Sequence, residues 1–184
     1  HICTFIKVDV SNESSVDALF EESSKIGTVS LVINNAGLGI FSKIEDSSVE
    51  DWDAQINVNL RGSFLVSRKY IPSMQEQKSG TLVFMNSVAG NFGYPYSAAY
   101  VASKFGLRGL SDSLRNELRK DKIKVISVHP GAINTAFWDD INVDFPREEM
   151  LTPEAIADSV VHAIEAPDAT VIENLTIRRV GGDF

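Results

Sequence analysis

Five short apolar runs of strand length alternate with longer segments that have helical periodicity. The apolar runs cover residues 4–10, 30–34, 81–87, 124–129 and 170–177, and helices are predicted at about 12–26, 49–77, 97–120 and 153–165. Strands that are separated by helices indicate βαβ units, which form a parallel sheet. Because such a sheet binds its ligand beyond the carboxyl ends of the strands, residues 34–37, Ser87, Pro130 and Gly131 are expected at one edge.

Local signals support the predicted helix ends. Ser11 is expected to be the N-cap of the first helix, and Gly27 stands at the C-cap position after it. Pro153 lies in the first turn of the last helix, where its missing N–H costs nothing.

Composition narrows the possible partners and compartment. The 184 residues fit one domain, 1–184, and the net charge of −8 without a basic cluster makes nucleic acid and anionic membranes poor partners. No apolar run approaches the roughly 18 residues of a membrane span, and the chain opens directly into HICTFIKVDV without a visible signal peptide. We therefore expect a cytoplasmic protein. Cys3, the single cysteine, is interpreted as a buried strand residue, and no metal site is expected.

The segment YVASK places Tyr100 and Lys104 four residues apart on one face of a predicted helix. A free phenol has a pKa of about 10, which makes it a poor proton-transfer group near neutrality. A neighbouring ammonium favours the phenolate, so Lys104 is expected to lower the pKa of Tyr100. On its own this spacing is common in helices and has little specificity.

Other polar residues are expected to converge on the same point. Ser87 ends the strand TLVFMNS, and NNAG at 34–37 ends the strand before it. Asn59 lies in the intervening helix, in INVNLRG, and Thr135 follows the Pro130 and Gly131 pair. Each of them lies at the carboxyl end of a predicted strand or on the helix beside it.

The order NNAG, NVNLRG, strand-end Ser, YxxxK and PGxxxT resembles the short-chain dehydrogenase/reductase family, from Asp9 to the end of the chain. The resemblance implies a Rossmann-like, doubly wound parallel sheet. It also implies that Tyr100 is the general acid of carbonyl reduction and that Lys104 lowers its pKa and binds the nicotinamide ribose. Ser87 would hydrogen-bond the substrate oxygen, and Asn59 would hold a water that links Lys104 to solvent.

The same resemblance assigns the cofactor contacts. Asp9 and Val10 would contact the adenine, and the turn formed by Asn35, Ala36 and Gly37 would lie beneath the adenosine ribose. The nicotinamide carboxamide would meet the backbone from Pro130 through Gly131 to Ile133, together with Thr135. The C-terminal run ATVIENLTIRRVGGDF is similar to the sepiapterin-reductase-like and 3-oxoacyl-reductase-like branches, which favours NADP over NAD.

Aromatic residues flank the expected catalytic residues and suggest a small-molecule substrate that is an apolar or planar carbonyl compound. The segment AGNFGYPYSAA, residues 89–99, is expected to line the pocket, with Asn91, Phe92 and Tyr94 as its contacts. Phe137 and Trp138 follow Thr135 in a segment that we expect to form a mobile lid. The alternative is that these aromatic side chains close the core beneath the loop. The resemblance further implies a homodimer or homotetramer, with the helices that hold Asn59 and Tyr100 at the interface.

Two polar residues also have plain structural interpretations. Asn34 is expected to brace the sheet rather than bind ligand. His129, beside Pro130, could act as a general base, but its strand position favours a packed core histidine.

Members of the family begin with a strand, a glycine-rich turn of the form TGxxxGxG, a helix and a second strand, and no segment of these 184 residues matches them. Because that turn and the helix N-terminus hold the pyrophosphate, we expect this chain alone to bind NAD(P)H weakly. Residues 4–10 would then lack a neighbouring strand. A non-catalytic remnant that acts as a binding or scaffold protein is the alternative to an active reductase.

Overall fold

A four-stranded parallel sheet forms the centre of the molecule. The computed structural model describes residues 3–139, 141 and 146–182. The strands are β1 (Leu31–Asn34), β2 (Gly80–Met85), β3 (Ile123–Pro130) and β4 (Asn174–Ile177), and they lie side by side in that order. The predicted parallel α/β sheet is therefore confirmed.

Five α-helices connect and flank these strands in the described part of the chain. They are α1 (Glu13–Ile26), α2 (Val49–Gln55), α3 (Ser63–Gln77), α4 (Ala98–Leu118) and α5 (Pro153–Ile164). A π-helical turn, Ile56–Gly62, joins α2 to α3 without a break, so the long helix predicted at 49–77 is one helical rod with a widened middle.

Alternation along the strands gives the sheet two apolar faces, each of which is covered by helices. Leu82 and Phe84 of β2 belong to a core that includes side chains of α1, α3 and α4. Val83 points the other way and packs with Ile156 of α5 in a second core. Because both faces bury apolar side chains, the central strands are nearly continuous apolar runs, as a parallel sheet requires.

The prediction of a strand at 4–10 is wrong, because these residues have no regular secondary structure and pair with no strand. A strand is stable only when a neighbour satisfies its N–H and C=O groups, and β1 pairs only with β2. Cys3 is accordingly exposed rather than buried in a strand. Leu31 and Ile33 of β1 are also exposed, by 38% and 46%.

Asn12, and not Ser11, is the N-cap of α1. Its side-chain oxygen accepts a hydrogen bond from the Ser15 N–H at 3.1 Å. Ser11 instead donates its hydroxyl to the Asp9 carboxylate at 2.7 Å. Both residues can form a cap, but the hydroxyl of Ser11 is bonded to Asp9, and the side chain of Asn12 caps the helix. The predicted C-cap at Gly27 is confirmed.

Candidate active site

The carboxyl ends of β1, β2 and β3 open into one cavity of about 660 Å³, beside the first turns of α4. Twelve of the residues that the sequence analysis assigned to catalysis, cofactor or substrate line it together: Asn35, Gly37, Ser87, Tyr94, Tyr100, Lys104, Pro130, Gly131, Ile133, Thr135, Phe137 and Trp138. The expected convergence of strand-end residues with the YxxxK helix is therefore present.

Tyr100 lies in the first turn of α4 and is hydrogen-bonded to Ser87. Burial raises the pKa of Tyr100 to about 12, and the hydrogen bond with Ser87 opposes that rise. The Lys104 Nζ is 5.6 Å from the centroid of the phenol ring, and desolvation is the largest influence on the pKa of Tyr100. The phenol consequently keeps its proton at neutral pH.

Lys104 is buried one turn further along α4. Its Nζ donates a hydrogen bond to the Met85 carbonyl at the end of β2, at 2.9 Å. Burial lowers the pKa of Lys104 to about 8. The ammonium is therefore held between the strand end and the Tyr100 ring, and it can lose its proton near physiological pH.

Asn59 lies in the π-helical turn and is 1% exposed. Its Oδ1 accepts from the Leu38 N–H at 2.8 Å, and its Nδ2 donates to the Leu38 carbonyl at 2.9 Å and to Ser103 Oγ at 3.0 Å. Gln55 adds a bond from the Ile40 N–H to its Oε1 at 3.0 Å. The widened helix thus holds the loop that follows NNAG.

Gly37 brings the NNAG turn close to the catalytic helix. A Cβ at this position would lie 3.3 Å from Asn59 Oδ1 and 3.7 Å from Lys104 Nζ. An added Cβ would therefore be tight against Asn59, while its distance to Lys104 would be an ordinary contact. Asn34, just before, is buried and donates to Ser67 Oγ of α3 at 3.3 Å, which is the predicted bracing role.

Three aromatic side chains form a wall beside Tyr100: Phe41, Phe137 and Trp138. Phe41 meets the Tyr100 ring edge-on at 5.5 Å between centroids and is parallel to Trp138 at 6.2 Å. Phe137 lies 6.0 Å from Tyr100 and 6.3 Å from Phe41. These rings line the cavity, and they also pack on one another.

The other predicted contacts lie outside this cavity. The Asn91 side chain accepts from Arg108 at 2.9 Å, and Phe92 is half-exposed beneath the Arg178 guanidinium, so the expectation that they line the pocket is wrong. Val10 and Ala36 line a second cavity of about 340 Å³, which shares Asn35 with the first. Asp9 is bonded to Ser11 at the surface.

The cavity is also lined by residues of the segments 89–99 and 130–133, as expected: Ala89, Pro95, Tyr96, Ser97 and Ala132. Six lining residues were not predicted from the sequence: Leu38, Phe41, Met85, Asn86, Val88 and Arg179. Most are neighbours of predicted residues and follow from them. Phe41 and Arg179 are not neighbours of predicted residues. The position of Phe41, four residues after Gly37, could have indicated an aromatic side chain near the site. Arg179 comes just after β4, whose carboxyl end adjoins that of β3.

Comparisons with known proteins agree with this geometry. The family model of the short chain dehydrogenases matches residues 2–145. The chain belongs to that family. It is 35% identical over 180 residues to a sepiapterin reductase of Chlorobaculum tepidum, which covers 97% of this chain and 73% of that protein. An uncharacterized oxidoreductase of Staphylococcus epidermidis is 32% identical over 176 residues, 95% of this chain and 76% of the relative.

Two solved structures have the same fold. An alcohol dehydrogenase from the archaeon Thermococcus sibiricus, complexed with 5-hydroxy-NADP, superposes with a TM-score of 0.85 at 29% identity over 94% of this chain and 73% of that one. A metagenomic short-chain oxidoreductase in complex with NADP gives 0.80 at 30% identity, over 94% and 72%. The protein is thus an NAD(P)-dependent dehydrogenase/reductase with a Rossmann-like fold.

The cavity is lined by residues that are expected around the nicotinamide end of such a cofactor: Lys104, Pro130, Gly131 and Thr135. Within the described part of the chain, no helix is both long enough and apolar enough to cross a bilayer.

Proposed function

We propose that the protein reduces an apolar or planar ketone to the alcohol and that it prefers NADPH to NADH. One observation carries this proposal: the Tyr100 phenol, whose pKa is about 12, is hydrogen-bonded to Ser87 in an aromatic-lined cavity. A phenol that keeps its proton at neutral pH is prepared to donate it, which is what carbonyl reduction requires.

In the proposed reaction the cofactor supplies a hydride to the carbonyl carbon. Tyr100 Oη donates its proton to the carbonyl oxygen, so the C=O group becomes CH–OH. The Ser87 hydroxyl donates a hydrogen bond to the same oxygen and stabilises the negative charge that develops there. The Lys104 ammonium stabilises the phenolate that remains on Tyr100, and a water held by Asn59 would return a proton to it.

The assignments of the cofactor contacts are part of the proposal. Lys104 and Tyr100 would bind the nicotinamide ribose, and Ile133 and Thr135 the carboxamide. Relatives with known structures are complexed with NADP or 5-hydroxy-NADP, which supports the preference for NADPH. Asp9, Val10 and Ala36 remain the proposed contacts of the adenosine half.

The substrate class follows from the aromatic wall. Phe41, Phe137 and Trp138 present ring faces and edges beside Tyr100, and an apolar or planar group attached to the carbonyl would pack against them. The similarity to a sepiapterin reductase of Chlorobaculum tepidum supports the proposal of a planar substrate.

Two further predictions belong to this proposal. Phe64 of α3 and Phe105 of α4 are each 43% exposed, and these are the helices expected at the interface of a homodimer or homotetramer. A cytoplasmic location also remains a prediction.

The test is the steady-state reduction of aromatic ketones by the full-length protein with NADPH. Tyr100→Phe should lower kcat by about 10³-fold and Ser87→Ala by about 10²-fold. Tyr96→Phe, the same substitution at an exposed position of the same cavity, should stay within about threefold of wild type. Retention of more than a tenth of the wild-type kcat by Tyr100→Phe would contradict the proposal. Absence of any turnover in wild type would favour the binding or scaffold protein.

A further inference from the structure

His129 is a buried titratable residue that the proposed reaction does not use. It occupies the last position but one of β3 and is 2% exposed, as predicted for a packed core histidine. It does not line the cavity, so it cannot touch the substrate. However, β3 pairs with β2 in the register Met85 to Val128, which brings His129 beside the segment that leaves β2 for Ser87.

The two ring nitrogens of His129 have different partners. Nδ1 lies 3.1 Å from the Ser87 main-chain carbonyl oxygen, and Nε2 lies 2.9 Å from Ser127 Oγ. A carbonyl oxygen can only accept, so Nδ1 must carry the proton. In the neutral ring, Nε2 is then the acceptor and the Ser127 hydroxyl is the donor. Burial lowers the pKa of His129, and this effect exceeds the rise caused by its hydrogen bonds with the Ser87 main chain and the Asn174 side chain. The lowered pKa favours the neutral ring.

Ser87 is held on both sides of its backbone. Its N–H donates to the Asn86 Oδ1 at 2.9 Å, and its carbonyl accepts from the Gly90 N–H at 2.9 Å as well as from His129. The Gly90 bond is local, within one turn of the chain. The His129 bond is the one that ties this carbonyl to the neighbouring strand, and so fixes Ser87 relative to the rigid sheet.

We propose that His129 is a positioning residue that fixes the catalytic Ser87 through the Nδ1–H bond to its carbonyl. The proposal rests on the role of Ser87 in the proposed function. Ser87 Oγ must meet the substrate oxygen at the same point as Tyr100 Oη, and a displacement of the Ser87 backbone separates the two. Because Ser87 acts on charge that develops during the reaction, its displacement lowers kcat more than it raises KM.

Two amide substitutions separate positioning from packing. Asn places its Nδ2 near the Nδ1 position of histidine, so His129→Asn keeps a donor toward Ser87. Gln reaches the Nε2 position, so His129→Gln keeps the polar contact with Ser127 and is also closer in volume to histidine. Positioning therefore requires His129→Asn to be the more active variant. Packing alone requires the opposite order, since Asn leaves the larger void.

The experiment measures kcat and KM for ketone reduction by the full-length protein, with thermal unfolding of each variant. We expect His129→Asn to keep kcat within about threefold and His129→Gln to lose at least about tenfold, with KM changed less than about threefold in both. Equal kcat values in the two variants, or a lower kcat for His129→Asn, would overturn the inference. Ser87→Ala is measured in parallel. If it retains wild-type kcat, the proposed function fails; if it is inactive while His129→Gln is fully active, only the inference fails.

A second measurement needs no folded variant. Long-range proton–nitrogen NMR of the wild-type protein reports which ring nitrogen carries hydrogen, with the His129 signal identified by its loss in His129→Asn or, if that variant does not fold, by backbone assignment. We expect hydrogen on Nδ1 and none on Nε2. Hydrogen on Nε2 alone would overturn the inference, because Nδ1 could then not donate to Ser87.

Discussion

Asn59 binds both main-chain groups of Leu38, accepting from its N–H at 2.8 Å and donating to its carbonyl at 2.9 Å. The amide side chain satisfies the N–H and C=O groups of Leu38, as a neighbouring strand would do in a sheet. The loop after NNAG therefore depends on one residue of the π-helical turn. Loss of that residue would affect both the stability of the fold and the shape of the cavity.

Asn59→Leu should lower the free energy of unfolding by about 2–4 kcal/mol, since it leaves buried groups of Leu38 and Ser103 without partners. Urea denaturation of the protein would measure this. Asn57→Leu, the same change at a half-buried position of the same turn, should cost less than about 0.5 kcal/mol. Similar losses in the two variants would show that Asn59 contributes no more than its helical position.

The rate of ketone reduction should fall as the pH rises through about 8. The Lys104 pKa is about 8 and that of Tyr100 about 12, so the ammonium loses its proton first while the phenol keeps its own. Full activity is expected below this pH, where Lys104 is charged. The profile of kcat/KM for the cofactor reports the free enzyme and is the measurement of choice. A profile that is flat to pH 10 would contradict the assignment.

Lys104→Met should remove activity without loss of stability. Burial lowers the folded pKa of Lys104 below the unfolded value of 10.5, so the buried ammonium destabilises the fold at pH 7. Between about pH 8 and 10.5 the unfolded chain binds more protons, and stability rises with pH. The variant should lack that rise and be more stable at pH 7 by about 1–3 kcal/mol. Urea denaturation at pH 7 and pH 10 tests both points, and a less stable variant at pH 7 would contradict them.

Gly39→Ala should alter the aromatic wall. A Cβ at Gly39 would lie 2.5 Å from Phe137 Cζ and 2.9 Å from Phe41 Cζ, so both rings must move. We expect KM for aromatic ketones to rise by about tenfold, because the rings shape the apolar side of the pocket. Gly93→Ala is the control, since its Cβ would meet no atom within 4 Å. Steady-state kinetics that do not distinguish the two variants would argue against a substrate contact at this wall.

The elements that surround the site could be predicted because periodicity reports burial. The apolar run at 81–87 predicts a buried strand, and β2 forms there between two other strands. The helical pattern at 97–120 predicts a helix with one apolar face, and α4 forms there. The run at 4–10 has the same local pattern, but pairing depends on a partner that no local pattern encodes. Ser11 is bonded to Asp9 and Asn12 is the N-cap, a choice between two neighbouring cap-forming residues that composition alone does not predict.

Within the site, residues in sequence motifs were predictable and residues brought in by loops were not. Ser87, Tyr100 and Lys104 lie on a strand end and a helix, whose directions follow from secondary structure. Phe41 contacts Tyr100 because it lies on a loop that is held by hydrogen bonds to Asn59 and Gln55. Asn91 lies outside the cavity, where its side chain is bonded to Arg108. The rise that burial causes in the pKa of Tyr100 could not be predicted, since spacing shows which charge is near but not how much water is excluded.

The π-helical turn also limits how this protein can vary. Ile56–Gly62 contains wider turns than an α-helix. A one-residue deletion ahead of Asn59 in this turn would be absorbed by a return to α-helical spacing, so α2 and α3 would keep their relative rotation. Gln55 would stay beside Ile40, and Ser67 would keep its bond to Asn34. The same deletion within α2 or α3 would rotate the side chains before it by about 100° relative to those after it. This segment can therefore change in length where the helices on either side of it cannot.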